Sequence, residues 1–450
     1  MSDDSSRAAY DRDLARLPKA LVDRFAPSLS RFLRIEAAAG AILLLSTTAA
    51  LALSNSPWSA EFLGAWDVHV GFRVGPLDYG RSLKDWINDG LMTLFFFLVA
   101  LELKRELVLG ELSEPRVAAL SVVAAIGGMV VPAALYLALQ WGLPGQHGWG
   151  TVMATDTAFV VACLALLKDR IPKSLRVFML SLAIVDDIGA ILVVAIGYSH
   201  GLNWAMLGAG ALCIAAVRAM AMAGFRALPL YFVAGGFAWV AIDACGIHAT
   251  TTGVILGLMT PARRWVSDKR LYAILQRVVA HPTQDLRSGS TRDRKSLQIA
   301  EVAARETLAP VERLEMGLHP WVAFAVMPLF AFANAGLSLS WDDFAHPVTA
   351  AVFAGFAVGK PLGVFAFSWL AVRAGFAVRA PDLSWRQIAG GSILAGIGFT
   401  MALFIADLAF AAPLIGSAKL GIFLASAFSA VAGLVLLSRV PPQVPAPSSR

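Results

Sequence analysis

The chain has little charge and little of what soluble proteins use for metal or redox chemistry. Asp, Glu, Lys and Arg make up 15% of its 450 residues, too few to keep a chain that is 58% hydrophobic in solution as an ordinary globular domain. Its three cysteines, Cys163, Cys213 and Cys245, fall in or beside apolar stretches with no paired spacing. That excludes a disulfide framework or a cysteine-bound metal and leaves packing as their role. The seven histidines include no HExxH pattern and no clustered ligand set, which argues against a zinc enzyme. Some 34 mostly polar and charged residues precede the first apolar run, so no cleavable signal peptide is expected.

What the chain does have is long hydrophobic runs, with a mean hydropathy of +0.67. Segments of spanning length recur at roughly 35–54, 86–107, 118–140, 151–167, 175–198, 204–221, 228–243, 246–260, 318–337, 349–372, 388–411 and 416–438. The expected fold class is therefore an all-α polytopic membrane protein of about twelve transmembrane helices.

Lys and Arg resist translocation, so their distribution orients the helices. With the N-terminus inside, 32 of the 37 Lys and Arg lie in inside segments. Only Arg73, Arg81, Lys84 and Lys419 lie outside, and Lys360 lies within a helix. Both termini are expected in the cytoplasm. The net charge of +6 then reflects membrane orientation, and no nucleic-acid partner is expected.

The organisation read from this pattern is a cytoplasmic N-terminal arm (1–34), helices one to eight (35–261), a charged cytoplasmic loop (262–317), helices nine to twelve (318–438) and a cytoplasmic tail (439–450). The loop contains HPTQDLRSGSTRDRKS and reads as disordered or loosely helical. Between the first two helices, Val68, Val70, Phe72 and Val74 alternate with polar or small residues before Gly75-Pro76. This predicts an extracytoplasmic β-hairpin near 68–83. A lone hairpin is marginal in water, so a second copy of the chain is its simplest partner, giving a homodimer.

Asp186 and Asp187 stand side by side in VFMLSLAIVDDIGAILVVAIG, about ten apolar residues from either end. One Asp at the centre of a membrane helix costs about 2.5–3.5 kcal/mol on insertion scales, so a buried pair marks an ion or proton path. Two other helices are interrupted. Thr155, Asp156 and Thr157 break GTVMATDTAFVVACLALL, and Gly396, Ile397 and Gly398, with Thr400 beyond, break IAGGSILAGIGFTMALFIADLAF. Interrupted segments at matching places in two halves indicate a transporter built from inverted repeats, here about 118–198 and 349–437. Two broken helices that cross bring like ends together, partly positive N–H ends and partly negative C=O ends. Asp156 and Lys360 carry the charges to compensate them. Lys360 lies about twelve residues before the next Arg, too deep for easy snorkelling.

These residues carry a resemblance. TDTAF, DDIGA, GKPLG, GIGFTMALFIA, GIHATTTGVILG, LHPWVAF, PLFAFANAG, WINDGLM and LELKREL resemble, in order and spacing over about 35–438, the sodium/proton antiporters of the bacterial NhaA family. The resemblance implies twelve helices with the fourth and eleventh unwound at their crossing. It also implies electrogenic exchange of Na+ or Li+ for H+ at the bacterial inner membrane, with no cofactor and no enzymatic activity. Motif by motif it places cation and proton binding, hence the Na+ site, at Asp186 and Asp187. Thr155 and Asp156 fall at the first unwound stretch, Gly396, Gly398 and Thr400 at the second, and Lys360 opposite. Asp89 begins the second helix. Glu102, Arg105 and Glu106, with Glu315 and His319, match the family's pH-sensing cluster. The chain departs from the pattern in its long charged loop and N-terminal arm, in Met316 where a His is found, and in the additional acids Asp243 and Asp407.

The chemistry agrees with that picture. A hard cation wants oxygen ligands, which Asp carboxylates, a Thr hydroxyl and freed backbone carbonyls supply. If one site holds either protons or a cation, competition couples their movements. Consecutive residues project about 100° apart on a helix, so the two aspartates cannot serve one point equally. Asp187 is assigned to the cation and Asp186 to an ion pair with Lys360. Protons are carried either by both aspartates or by Asp187 with Lys360. A bile-acid-type symporter would not need a buried acidic pair beside a lysine, and a cation channel would build its charge rings by oligomerisation. An intramembrane aspartyl protease needs aspartates facing each other across helices, which neighbours cannot do.

Overall fold

The computed structural model describes residues 36–74, 77–110, 115–167, 170–198, 201–223, 228–262, 268–279, 291–338 and 340–440. The expected N-terminal arm, most of the tail and the Gly75-Pro76 turn lie outside these residues.

The described elements are α1 (Glu36–Ser54), α2 (Ser59–Trp66), β1 (His69–Val74), β2 (Leu77–Ser82), α3 (Leu83–Val108), α4 (Pro115–Gln140) and a 3₁₀ segment (Pro144–Met153) leading into α5 (Thr157–Leu166). They continue with α6 (Lys173–Gly197), α7 (Trp204–Met222), α8 (Leu228–Ala244), α9 (Thr250–Met259), α10 (Asp268–Val279) and α11 (Thr291–Glu306). Last come α12 (Pro310–Asn334), a short helical turn (Trp341–Ala345), α13 (Pro347–Arg373), α14 (Trp385–Leu394), α15 (Phe399–Ala409) and α16 (Ala412–Ser438). Seven of these helices are long and apolar enough to cross a membrane, and three bent pairs raise the number to ten. With the shorter apolar helices α8 and α9 they correspond to the twelve hydropathic segments. Large apolar side chains such as Ile196, Leu212 and Val431 point outward, as expected where lipid is the solvent.

Two triplets share one design. In α4–α5–α6 and in α13–α14/α15–α16 a broken helix stands between two long ones, bent by 47° at residues 154–156 and by 46° at residues 395–398. The leading helices α4 and α13 cross at backbone contact distance. A Cβ on Gly127 would meet the Gly363 carbonyl oxygen at 2.4 Å, and one on Gly363 would meet that of Gly127 at 2.1 Å. Only glycine at both positions lets these backbones approach, the small-residue packing typical of membrane helices. A π turn at Gly355–Gly359 in α13 immediately precedes Lys360, so the lysine starts on a re-aimed stretch of helix.

The hairpin is present, with β1 and β2 antiparallel and in register from His69 opposite Ser82 to Val74 opposite Leu77. Three features differ from the sequence reading. Helix α2, bent 120° from α1, was not anticipated, and it packs the partly buried Phe62 and Trp66 edge-on against Phe332. The first broken segment begins at Pro144 in 3₁₀ geometry, well before residue 151. Within the charged loop, α10 and α11 are regular helices and α12 starts at Pro310, not near 318. Leu271, Ile274 and Leu275 supply α10 with an i, i+3, i+4 apolar stripe among its charges. At the start of α12, Pro310 pre-sets the first helical φ, and the Glu312 carboxylate accepts the Ala309 N–H at 2.9 Å.

Candidate functional site

The two breaks meet, and their backbones are joined directly. Asp156 N–H donates to the Ile397 carbonyl at 2.7 Å. Glycine is required on the second strand of the crossing because Phe356 packs against it. A Cβ on Gly396 would sit 2.6 Å from the Phe356 carbonyl oxygen, and one on Gly398 2.3 Å from the Phe356 ring.

Asp156 serves both positive helix ends. Its Oδ1 accepts from Phe159 N–H at 3.1 Å, capping α5. Its Oδ2 accepts from Thr400 N–H at 3.0 Å and from the Thr400 hydroxyl, inside the first turn of α15. Gly398, the N-cap of α15, has no side chain to do this. One buried carboxylate thus satisfies orphan donors on two helices.

The negative ends meet donors. Lys360, fully buried, donates to the Met153 carbonyl at the end of the 3₁₀ segment and pairs with Asp186 Oδ2 at 2.9 Å. Thr155 reaches the same Asp186 oxygen at 2.6 Å and the Ala395 carbonyl, at the end of α14, at 3.1 Å. A hydroxyl has one proton, so the shorter, charge-assisted contact to Asp186 is favoured.

Residues 154–156 are extended, and along an extended chain alternate side chains share a face. Thr155 accordingly turns to Asp186, Asp156 turns away to α15, and Thr157 turns to Asp187, with its hydroxyl 3.4 Å from Oδ2. Asp187 is 3% exposed, and its Oδ1 has no hydrogen-bond partner among the described residues. The aspartates therefore differ. Asp186 is held by a lysine and a hydroxyl, whereas Asp187 has one long hydroxyl contact. Among the described residues no three His, Cys, Asp or Glu side chains form a metal-binding group. A cation here would rely on the aspartates together with hydroxyl and carbonyl oxygens, a hard-oxygen set suited to an alkali ion.

Of the five residues Glu102, Arg105, Glu106, Glu315 and His319, the structure joins three by ion pairs. Arg105 lies 2.9 Å from Glu106 Oε1 and 2.9 Å from Glu315 Oε1, the latter linking α3 to α12. Glu102 is within electrostatic range of these residues and of Asp187. His319 stands exposed one turn beyond Glu315, and Met316 is exposed.

The sequence reading missed a second charged cluster on the hairpin side. Arg81 of β2 bridges Asp89 on α3 and Asp243 on α8. Asp407 on α15 takes Lys84 at 3.1 Å and Lys419 at 3.5 Å, and Lys419 also donates to the Asn334 carbonyl at 2.7 Å. The two acids outside the motif pattern are thus ion-paired around a cavity of about 330 Å³. Three cations, Arg81 on β2, Lys84 at the start of α3 and Lys419 in α16, were the available signal, since each demands a partner.

Comparison with known proteins identifies the family. The family described as Na+/H+ antiporter 1 matches residues 30–437. A Na(+)/H(+) antiporter NhaA 2 of Acidiphilium cryptum is 59% identical, with 94% of this chain and 95% of that protein covered. The Na(+)/H(+) antiporter NhaA of Rhizobium meliloti is 58% identical, covering 94% and 97%. The Na(+)/H(+) antiporter NhaA 2 of Vibrio vulnificus is 54% identical, covering 97% of each. With two broken helices crossing at a buried Asp–Lys pair, and with identity at this level over nearly its full length, the chain belongs to the NhaA family of Na+/H+ antiporters, which are transporters rather than enzymes.

Proposed function

We propose that the chain exchanges Na+ or Li+ for protons electrogenically across the bacterial inner membrane, under pH control, and so serves sodium and pH homeostasis. The observation that carries this reading is the asymmetry of the aspartates. Lys360 neutralises Asp186 at 2.9 Å, while Asp187, equally deep, is left with one long hydroxyl contact. Asp187 is then the carboxylate for which a cation and a proton compete, and an arriving cation draws Asp186 away from Lys360. Protons leave either from both aspartates or from Asp187 and Lys360. Each route sets two protons against one monovalent cation and moves net charge. Alternating access follows from movement of the two triplets against the remaining helices.

The basic residues favour cytoplasmic termini, and lipid contacts the outward apolar faces. The cluster of Glu102, Arg105, Glu106, Glu315 and His319 is the proposed pH sensor. The hairpin, two-stranded among the described residues, is the proposed dimer contact, each edge completed by a second copy.

Everted vesicles acidified inside, with dequenching followed on addition of Na+, Li+ or K+, test the exchange. Na+ and Li+ should release protons, and Asp187→Asn should insert normally but release none. Near-normal exchange by a well-expressed Asp187→Asn protein would overturn the mechanism. Deletion of the hairpin should yield monomers that retain some transport, and a deletion variant still cross-linked as a dimer would remove the hairpin from the interface.

A further inference from the structure

We infer that the Thr157 hydroxyl is a cation ligand in this chain and sets its discrimination between Na+ and Li+. The inference rests on the reading of Asp187 as the cation-binding carboxylate and adds a partner for it. Three observations converge on Thr157.

The first is what surrounds Asp187. Its carboxylate is buried, one oxygen has no hydrogen-bond partner among the described residues, and the other has only Thr157 Oγ1, at 3.4 Å. That contact is too long to be a strong hydrogen bond to a carboxylate, which normally brings the oxygens to about 2.5–2.7 Å. The spacing instead suits two ligands of one ion. With metal–oxygen bonds of about 2.4 Å, as for the similarly sized Ca2+, oxygens 3.4 Å apart subtend roughly 90° at the ion, the angle between neighbouring ligands in an octahedral shell.

The second is that Thr155, Asp156, Thr400 and Lys360 are already engaged at the crossing, while Asp186 Oδ1, like Asp187 Oδ1, has no hydrogen-bond partner among the described residues. Thr155 reaches Asp186 and the Ala395 carbonyl. Asp156 and Thr400 hold each other, and Lys360 holds Asp186 and the Met153 carbonyl. The Thr157 hydroxyl has no such commitment.

The third is that Thr157 is not needed as a cap. It is the first residue of α5, and Asp156 already supplies the N-cap acceptor. Its half-buried hydroxyl sits where the extended stretch becomes helix, on the same side of the chain as Thr155.

Loss of one neutral oxygen should matter more to Na+, which takes a larger shell, than to the smaller Li+. In reconstituted protein, Thr157→Val should raise the half-saturating Na+ concentration about tenfold, the scale of one lost polar contact, and that of Li+ by less. Thr157→Ser, which keeps the hydroxyl, should stay within about twofold of the parent. The same order should appear in Na+- and Li+-dependent thermal stabilisation of detergent-solubilised protein, which reads binding without transport. Unchanged Na+ half-saturation in Thr157→Val would overturn the inference. So would an equal loss for Na+ and Li+ that Thr157→Ser fails to rescue, since that marks a structural role. If Thr157→Val does not accumulate, Thr157→Ala carries the same comparison. Asp187→Asn separates the two levels: if it abolishes binding while Thr157→Val is normal, only the assignment of Thr157 falls, and if it binds and exchanges Na+ normally, the underlying reading falls.

Discussion

Asp156 and Thr400 are 244 residues apart in the chain, yet the carboxylate of one accepts both the backbone N–H and the hydroxyl of the other. A single side chain thereby fastens the two broken helices at their positive ends. Two half-helices alone would have left those donors buried and unpaired, which costs several kcal/mol in a medium without water.

Asp156→Ala should therefore act as the loss of two helix caps at once. Each cap is worth about 0.5–2 kcal/mol, so the expected loss is roughly 1–4 kcal/mol and a clearly lower melting temperature in detergent. Asp156→Asn retains an acceptor and should lose less. Equal melting temperatures for the parent and the Ala variant, measured by tryptophan fluorescence or by aggregation onset, would show that the caps are not limiting.

Lys360 and Asp186 are both fully buried, and removing one strands the other. Breaking such a pair costs about 3–5 kcal/mol, much of it the isolated charge. Lys360→Ala should be strongly destabilised, and Lys360→Ala with Asp186→Asn should recover part of that loss because the double variant has no unpaired carboxylate. A double-mutant cycle on melting temperature reads the coupling. Additive losses would mean that the lysine stabilises chiefly through the Met153 carbonyl.

Much of this was legible in the sequence because the membrane makes polar residues conspicuous. Asp186, Asp187, Asp156 and Lys360 stand out from apolar runs, and the small residues at 396 and 398 mark where helix stops. The alternation of Thr155, Asp156 and Thr157 carried further information, since three consecutive polar residues on a continuous helix would face three directions, whereas on an extended strand the outer two face one. The hairpin-side pairs were not legible. Asp407 and Lys84 are more than 300 residues apart, and no local pattern says that they meet. The helices within 262–317 were obscured because their charge density masked a short apolar stripe.

The α4–α13 crossing makes a prediction that needs no ion. A Cβ at Gly363 would lie 2.1 Å from the Gly127 carbonyl oxygen, and neither backbone has a flexible end that can move aside. Gly363→Ala should cost about 1–3 kcal/mol by overpacking. Since α13 also carries Lys360, it should lower exchange as well. Gly208→Ala in α7 is the control, because nothing lies within 4 Å of the added methyl group. It should be neutral or slightly stabilising, as alanine is the better helix former. Equal behaviour of the two variants would mean that α4 and α13 can separate at no cost.

Regulation is the last property to be tested, through the Arg105–Glu315 pair that ties α3 to α12 at 2.9 Å. Glu102 and Glu106 lie beside that pair, and Glu102 is also coupled electrostatically to Asp187, so a change of charge at the mouth is felt at the central site. Groups coupled in this way gain and lose protons as a set. Glu315→Gln removes one negative charge from the set, which should let it give up its protons under more acidic conditions. Exchange should then switch on at lower pH with its maximal rate kept. His319→Ala should shift the profile less, since that side chain is exposed and makes no ion pair among those described. Met316 occupies a position where a second titrating side chain would steepen the switch, so the parent should show a shallow response. Exchange measured from about pH 6 to 9 brackets the ordinary histidine range and reads midpoint and slope together. Superimposable profiles for both variants would remove the mouth cluster from regulation and leave the Asp186–Asp187 site to sense pH directly, through the same competition between proton and cation that drives exchange.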